Sequence, residues 1–97
     1  MAQKPPRKPS PKRKKVLFFI SAPKAKVVSL AGNFNEWDAG SLPMEKDSEG
    51  VWKVTLYLTP GRYEYRFFAD GVWYDDPKAR KRVDNPFGTQ NSVKTVR

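Results

Sequence analysis

Short apolar runs and turn-forming residues succeed each other along almost the whole chain. The runs are VLFFIS (16–21), KVVSLA (26–31), LPMEK (42–46), VWKVTLYL (51–58), RYEYRFFA (62–69), VWY (72–74) and NSVKTV (91–96). Between them lie AP, GNFNEWDAG, DSEG, TPG, DG and the long DDPKARKRVDNPFGTQ. No run carries a helical stripe, and turn signals at this spacing predict an all-β sandwich or barrel.

Two runs alternate cleanly enough to assign faces. In VWKVTLYL, Trp52, Val54, Leu56 and Leu58 share one side, and Lys53, Thr55 and Tyr57 take the other. Trp52 is therefore expected in the core. In RYEYRFFA, Tyr63, Tyr65 and Phe67 form an inner row, leaving Glu64, Arg66 and Phe68 outside. The TPG and DG connections supply the proline and the permissive glycine of tight turns, so antiparallel hairpins are expected.

Composition narrows this picture. A chain of 97 residues with 38% hydrophobic content and a mean hydropathy of −0.74 makes one small domain, too small for a large catalytic cleft. It has no cysteine and no histidine, so neither disulfides nor thiolate metal sites are available, and no cofactor is expected. Stability must come from packing, to which an aromatic content of 13% contributes large buried areas.

The net charge of +9 is uneven. Residues 1–15, MAQKPPRKPSPKRKK, hold seven of the 19 Lys and Arg (Lys4, Arg7, Lys8, Lys12, Arg13, Lys14, Lys15), none of the 10 acids and four of the nine prolines. The remainder carries 12 − 10, or +2. Residues 1–15 are read as a disordered basic tail and 16–97 as the folded domain. The apolar stretch after the tail is too short for a signal peptide and runs into Pro23, Lys24 and Lys26. With no membrane-spanning run and no lipidation motif, a cytoplasmic location is expected.

Two further tryptophans stand in polar surroundings. Trp37 lies in GNFNEWD and Trp73 in DGVWYDDP. A tryptophan in a small β domain is ordinarily core, and Trp52 fits that rule. For Trp37 and Trp73 the local residues leave both readings open, a packed ring or an exposed one able to stack on a flat ligand.

The order VVSLAGNFNEWD, PMEKDSEGVWKVTLYLTPGRYEYRFFADGVWYDDP and NPFGTQNSVKTV is similar to the glycogen-binding domains of family 48 carbohydrate-binding modules. These include the module of the AMP-activated protein kinase β subunit and the early-set N-terminal domains of isoamylases and branching enzymes. The resemblance covers about residues 16–97. It implies an immunoglobulin-like, early-set antiparallel β-sandwich that binds α-1,4-linked glucan: glycogen, starch or malto-oligosaccharides. By motif it implies Trp37 and Trp73 as rings stacking on glucose. Arg66 stands for a lysine that makes a polar contact, and Phe87, Thr89 and Asn91 stand in the segment where the family has leucine, threonine and asparagine. Arg66 and Phe87 depart from the pattern, the first by a planar fork in place of an ammonium and the second by bulk. The C–H face of a glucose ring gains dispersion on an aromatic ring, while its hydroxyls need donors and acceptors at the edge.

Glycoside hydrolysis would need two carboxylates facing each other across a cleft. The adjacent Asp75 and Asp76 point to opposite faces of an extended segment and read as a solvated turn before Pro77. No catalytic residue is expected. Two other functional classes stay open: binding of nucleic acid or another acidic partner through residues 1–15 and the KARKR run (78–82), or a protein-interaction scaffold that keeps the early-set fold without sugar binding.

Overall fold

The computed structural model describes residues 12–97, and among these residues it contains only strands, turns and bends. The strands are β1 (Lys14–Ser21), β2 (Val28–Gly32), β3 (Glu45–Lys46), β4 (Val51–Leu58), β5 (Gly61–Ala69), β6 (Val72–Tyr74), β7 (Lys81–Asp84) and β8 (Gln90–Val96). One sheet has the order β1-β4-β3. The other runs β2-β5-β8-β7, with β6 also pairing with β5, and every pairing is antiparallel. The result is an all-β sandwich of the immunoglobulin-like, early-set kind.

Its core lies between the sheets. Phe18, Val28, Leu30, Tyr65 and Phe67 are essentially inaccessible, and Val16, Met44, Trp52, Ala69 and Val96 complete the cluster. The alternation in the sequence is realised residue by residue. In β5, Tyr65, Phe67 and Ala69 are buried while Glu64, Arg66 and Phe68 are only partly covered. Tyr65 meets Phe18 edge-on at 4.9 Å between ring centroids and Phe67 at 5.9 Å, the offset geometry that ring quadrupoles favour. Trp52 is core, as expected, and its indole N–H reaches the Ala22 carbonyl at 2.9 Å, so burial leaves no donor unpaired.

Several expectations change. Strand β1 begins at Lys14, so Lys14 and Lys15 belong to the sheet and not to a tail. The expected disorder of residues 1–11 lies outside the described residues. Within LPMEK only Glu45 and Lys46 form a strand, with Pro43 making a single bridge to Ser29. The long stretch between VWY and NSVKTV hides a strand, β7, which pairs with β8 along its whole length. Three charged residues around one valine left KRVD with no apolar signal, and as an edge strand it needs little.

The expected solvated turn is also corrected. Asp76 is buried at 6% exposure. It accepts a hydrogen bond from the Tyr65 hydroxyl at 2.5 Å and from the Lys78 amide at 2.8 Å, and its own amide donates to Ser92 Oγ. Asp76 is thus a bolt joining the segment after β6 to β5 and β8. Because neighbouring side chains in extended backbone diverge, seating Asp76 inward turns Asp75 out, beside Arg66.

Candidate functional site

The outer face of the five-stranded sheet carries the site. Arg66 projects from β5, Asn91 from β8 and Trp73 from β6, where Trp73 pairs with Phe68 across the strands at 4.8 Å between rings. The β5–β6 turn that sets Trp73 in register is Asp70-Gly71, both at positive φ (49° and 84°), as a tight hairpin turn requires. Asp70 also accepts from the Lys26 and Val27 amides, tying this turn to the start of β2.

Trp37 comes from the turn after β2. Asn35 organises that turn: its Oδ1 accepts the Gly32 amide at 3.0 Å, and its Nδ2 donates to the Asp38 carbonyl and Ser41 Oγ at 3.0 and 2.9 Å. Glu36 and Trp37 are held at φ of 56° and 59°. Left-handed backbone costs a non-glycine residue on the order of 1 kcal/mol, and here the surrounding hydrogen bonds offset it. Trp37 ends half-buried, and Trp73 is 38% exposed. Neither is a core ring, which separates both from Trp52.

The third wall is the turn between β7 and β8. Asn85-Pro86-Phe87-Gly88 has the residues of a tight turn, with asparagine first, proline second and glycine fourth at φ 80°. It lifts Phe87 into solvent at 88% exposure.

These elements enclose an open groove of about 640 Å³. All six residues singled out in the sequence line it, namely Trp37, Arg66, Trp73, Phe87, Thr89 and Asn91. Asn85 and Pro86 line it too and were missed, although the Asn-Pro-x-Gly turn signal was legible. Trp37, Trp73, Phe87 and Pro86 form apolar walls, and the polar groups converge between them. That combination is what small-molecule sites present.

The polar floor is wired in advance. Arg66, with its side chain only 13% exposed, directs Nε and Nη2 to Asp75 Oδ1, both at 3.1 Å, and Nη1 to Thr89 Oγ1 at 3.3 Å. The guanidinium plane is therefore fixed, and further N–H groups remain for a ligand. Asn91 donates to Glu64 Oε1 at 3.1 Å and accepts from Asn85 Nδ2 at 3.0 Å. The carboxylates nearby, Asp75 and Glu64, are thus occupied as hydrogen-bond acceptors for Arg66 and Asn91.

Comparison with known proteins decides the family. Residues 17–97 match the family described as the glycogen recognition site of AMP-activated protein kinase. The chain belongs to this family. Protein FLOURY ENDOSPERM 6, chloroplastic, of Oryza sativa subsp. japonica is 37% identical over 82 residues, covering 84% of this chain and 15% of the rice protein. The 1,4-alpha-glucan branching enzyme GlgB of Aquifex aeolicus (strain VF5) is 48% identical over 63 residues, covering 61% of this chain and 10% of the enzyme. The 5'-AMP-activated protein kinase subunit beta-1 of Rattus norvegicus is 36% identical over 72 residues, covering 74% of this chain and 25% of the subunit. This glycogen-recognition module thus spans between a tenth and a quarter of the length of these relatives. It shares with the branching enzyme a small portion only, and the family is defined by recognition of a polysaccharide, not by catalysis.

Proposed function

We propose that the groove binds α-1,4-linked glucan without chemical change, the faces of glucose units lying on Trp37 and Trp73 and the chain passing Phe87. The observation that carries this reading is the convergence of three non-core aromatic rings, from three separate turns or strands, on one groove. Membership of the glycogen-recognition family supports the class of ligand. Ring stacking provides dispersion where the sugar exposes C–H groups, and Arg66, Thr89 and Asn91 meet the hydroxyls at the edge. A shallow groove gives a short oligosaccharide modest affinity, and a branched polymer offering many sites raises it by rebinding.

The test is native gel mobility in the presence of glycogen. The wild-type chain is expected to be retarded, and Trp37→Ala and Trp73→Ala each to lose at least about tenfold in affinity, since an aromatic ring that goes from exposed to covered contributes about 1.5–3 kcal/mol. Neither ring belongs to the core cluster, so both variants keep their fold. Retardation unchanged in both variants would refute the stacking arrangement.

A further inference from the structure

Strand β1 lies at the edge of its sheet, hydrogen-bonded among the described residues to β4 alone. Two bonds show which of its backbone groups face the open side. The Ala22 amide reaches the Gly50 carbonyl at 3.0 Å, continuing the ladder toward β4 on an even-numbered residue. The Leu17 carbonyl instead points away from β4 and accepts from Lys94 Nζ at 3.3 Å. In an antiparallel strand the N–H and C=O of one residue point the same way, and the direction alternates along the chain. Lys15, Leu17, Phe19 and Ser21 therefore present theirs to the open edge.

The side chains sort along the same strand. Leu17 and Phe19 stand on the outer face of the sheet, 43% and 38% exposed, and Tyr57 of β4, diagonal to Leu17, is 60% exposed. The inner side is basic at the edge. Lys14 shares that side of β1 with the buried Val16 and Phe18, and the Lys94 ammonium lies 4.9 Å from the centre of the Phe18 ring. Residues 12–21 and 90–97 include Lys12, Arg13, Lys14, Lys15, Lys94 and Arg97 and no acid. Among the described residues no ion pair involves any of these six. Lysine on an edge strand keeps copies of a protein apart, and a second copy paired about the middle of β1 would set Lys94 against Lys94. An acidic chain meets no such repulsion.

We infer that the β1 edge is a docking strip for an extended acidic segment of a partner protein, added antiparallel as a fourth strand of the β1-β4-β3 sheet. The backbone groups of Lys15, Leu17 and Phe19 supply the paired hydrogen bonds of strand addition. Alternation in the segment follows from the two faces of the strip. Its apolar residues fall on the outer face against Leu17 and Phe19, and its acids fall on the inner side toward Lys94 and Lys14. The Leu17 carbonyl has two lone pairs, so it can hold Lys94 and an added N–H together. The glucan groove lies on the other sheet, and this inference does not depend on it.

The experiment follows, by fluorescence anisotropy, binding of a fluorescein-labelled nonapeptide that alternates glutamate and valine, with glutamate at both ends, to the full chain. A peptide of five glutamates followed by four valines carries the same charge without the alternation and is expected to bind at least about tenfold more weakly. N-methylation of the valines, whose N–H groups face β1, is expected to weaken binding more than about tenfold. N-methylation of the glutamates, whose N–H groups face solvent, changes it by less than about twofold. Lys94→Gln, with its thermal midpoint recorded, is expected to weaken binding about 2–5-fold. Equal binding of the block peptide would mean capture by charge alone, and equal effects of the two methylations would mean that the edge is not paired. Either result overturns the inference, as do wild-type affinity in Lys94→Gln and absence of binding by the alternating peptide. A chain that sediments as a dimer without peptide, through β1, would assign the edge to a second copy instead. The peptide comparisons use the wild-type chain, so they decide the matter even if Lys94→Gln does not fold.

Discussion

Tyr65 shows how a single side chain joins the core to the site. Its ring packs between Phe18 and Phe67, and its hydroxyl closes the bond to Asp76 that turns Asp75 toward Arg66. Burial, with the adjacent Asp76 carboxylate adding to it, disfavours the phenolate and raises the Tyr65 pKa well above the usual tyrosine value. A folded-state pKa raised in this way stabilises the protein fully below the unfolded value of about 10 and is lost as pH climbs above it. The urea midpoint of the wild type is therefore expected to hold up to about pH 9.5 and to fall beyond it. Tyr65→Phe should lower the unfolding free energy at neutral pH by about 1–3 kcal/mol, because an Asp76 oxygen loses its buried partner, and should flatten the alkaline decline. An alkaline decline of equal slope in both proteins would contradict this role. That bond was not legible beforehand: Asp75-Asp76-Pro77 looks like any polar turn, and only the return of β8 beside β5 brings Ser92 and Tyr65 to meet it.

At the scale of elements, two glycines serve different ends. Gly32, at the end of β2, lies against the neighbouring strand: a Cβ there would overlap the Glu64 carbonyl and sit 2.6 Å from the Phe34 ring. Gly71, in the β5–β6 turn, has open space around it but a φ of 84°. Gly32→Ala is expected to cost more than about 2 kcal/mol by thermal unfolding and to displace the Trp37 turn, while Gly71→Ala costs about 1 kcal/mol from backbone strain alone. Equal losses at the two sites would refute the distinction. The strands themselves were largely legible, since alternation in β4 and β5 fixed which residues face the core. The edge strand β7 was not, because pairing with β8 holds it and apolar burial does not. Trp37 and Trp73 shared their local signal with any polar turn, and motif order told them apart from Trp52. Asn85 escaped notice because its role lies in bonds to Phe87, Thr89 and Asn91, which composition does not reveal.

Across the whole molecule, the two faces of the five-stranded sheet divide the work. The inner face packs Tyr65 and Phe67 against Phe18 of the opposite sheet, and the outer face supports the groove. Rigid strands thus carry Arg66, Trp73 and Asn91, and short, internally bonded turns carry Trp37 and Phe87, so the site needs little reorganisation before a ligand arrives. Of the KARKR run, Lys78, Arg80, Lys81 and Arg82 are all exposed, and Arg82 also donates to the Asp76 carbonyl, contributing to the fold. The most direct measurement of the central claim is the response of the three indole N–H resonances of 15N-labelled protein to maltoheptaose. Trp37 and Trp73 are expected to shift together and saturably, while Trp52, whose N–H is bonded to Ala22 inside the sandwich, stays in place. If the Trp37 and Trp73 signals do not move at saturating sugar, or if the shifts gather instead on the basic residues 78–82, the groove is not the glucan site.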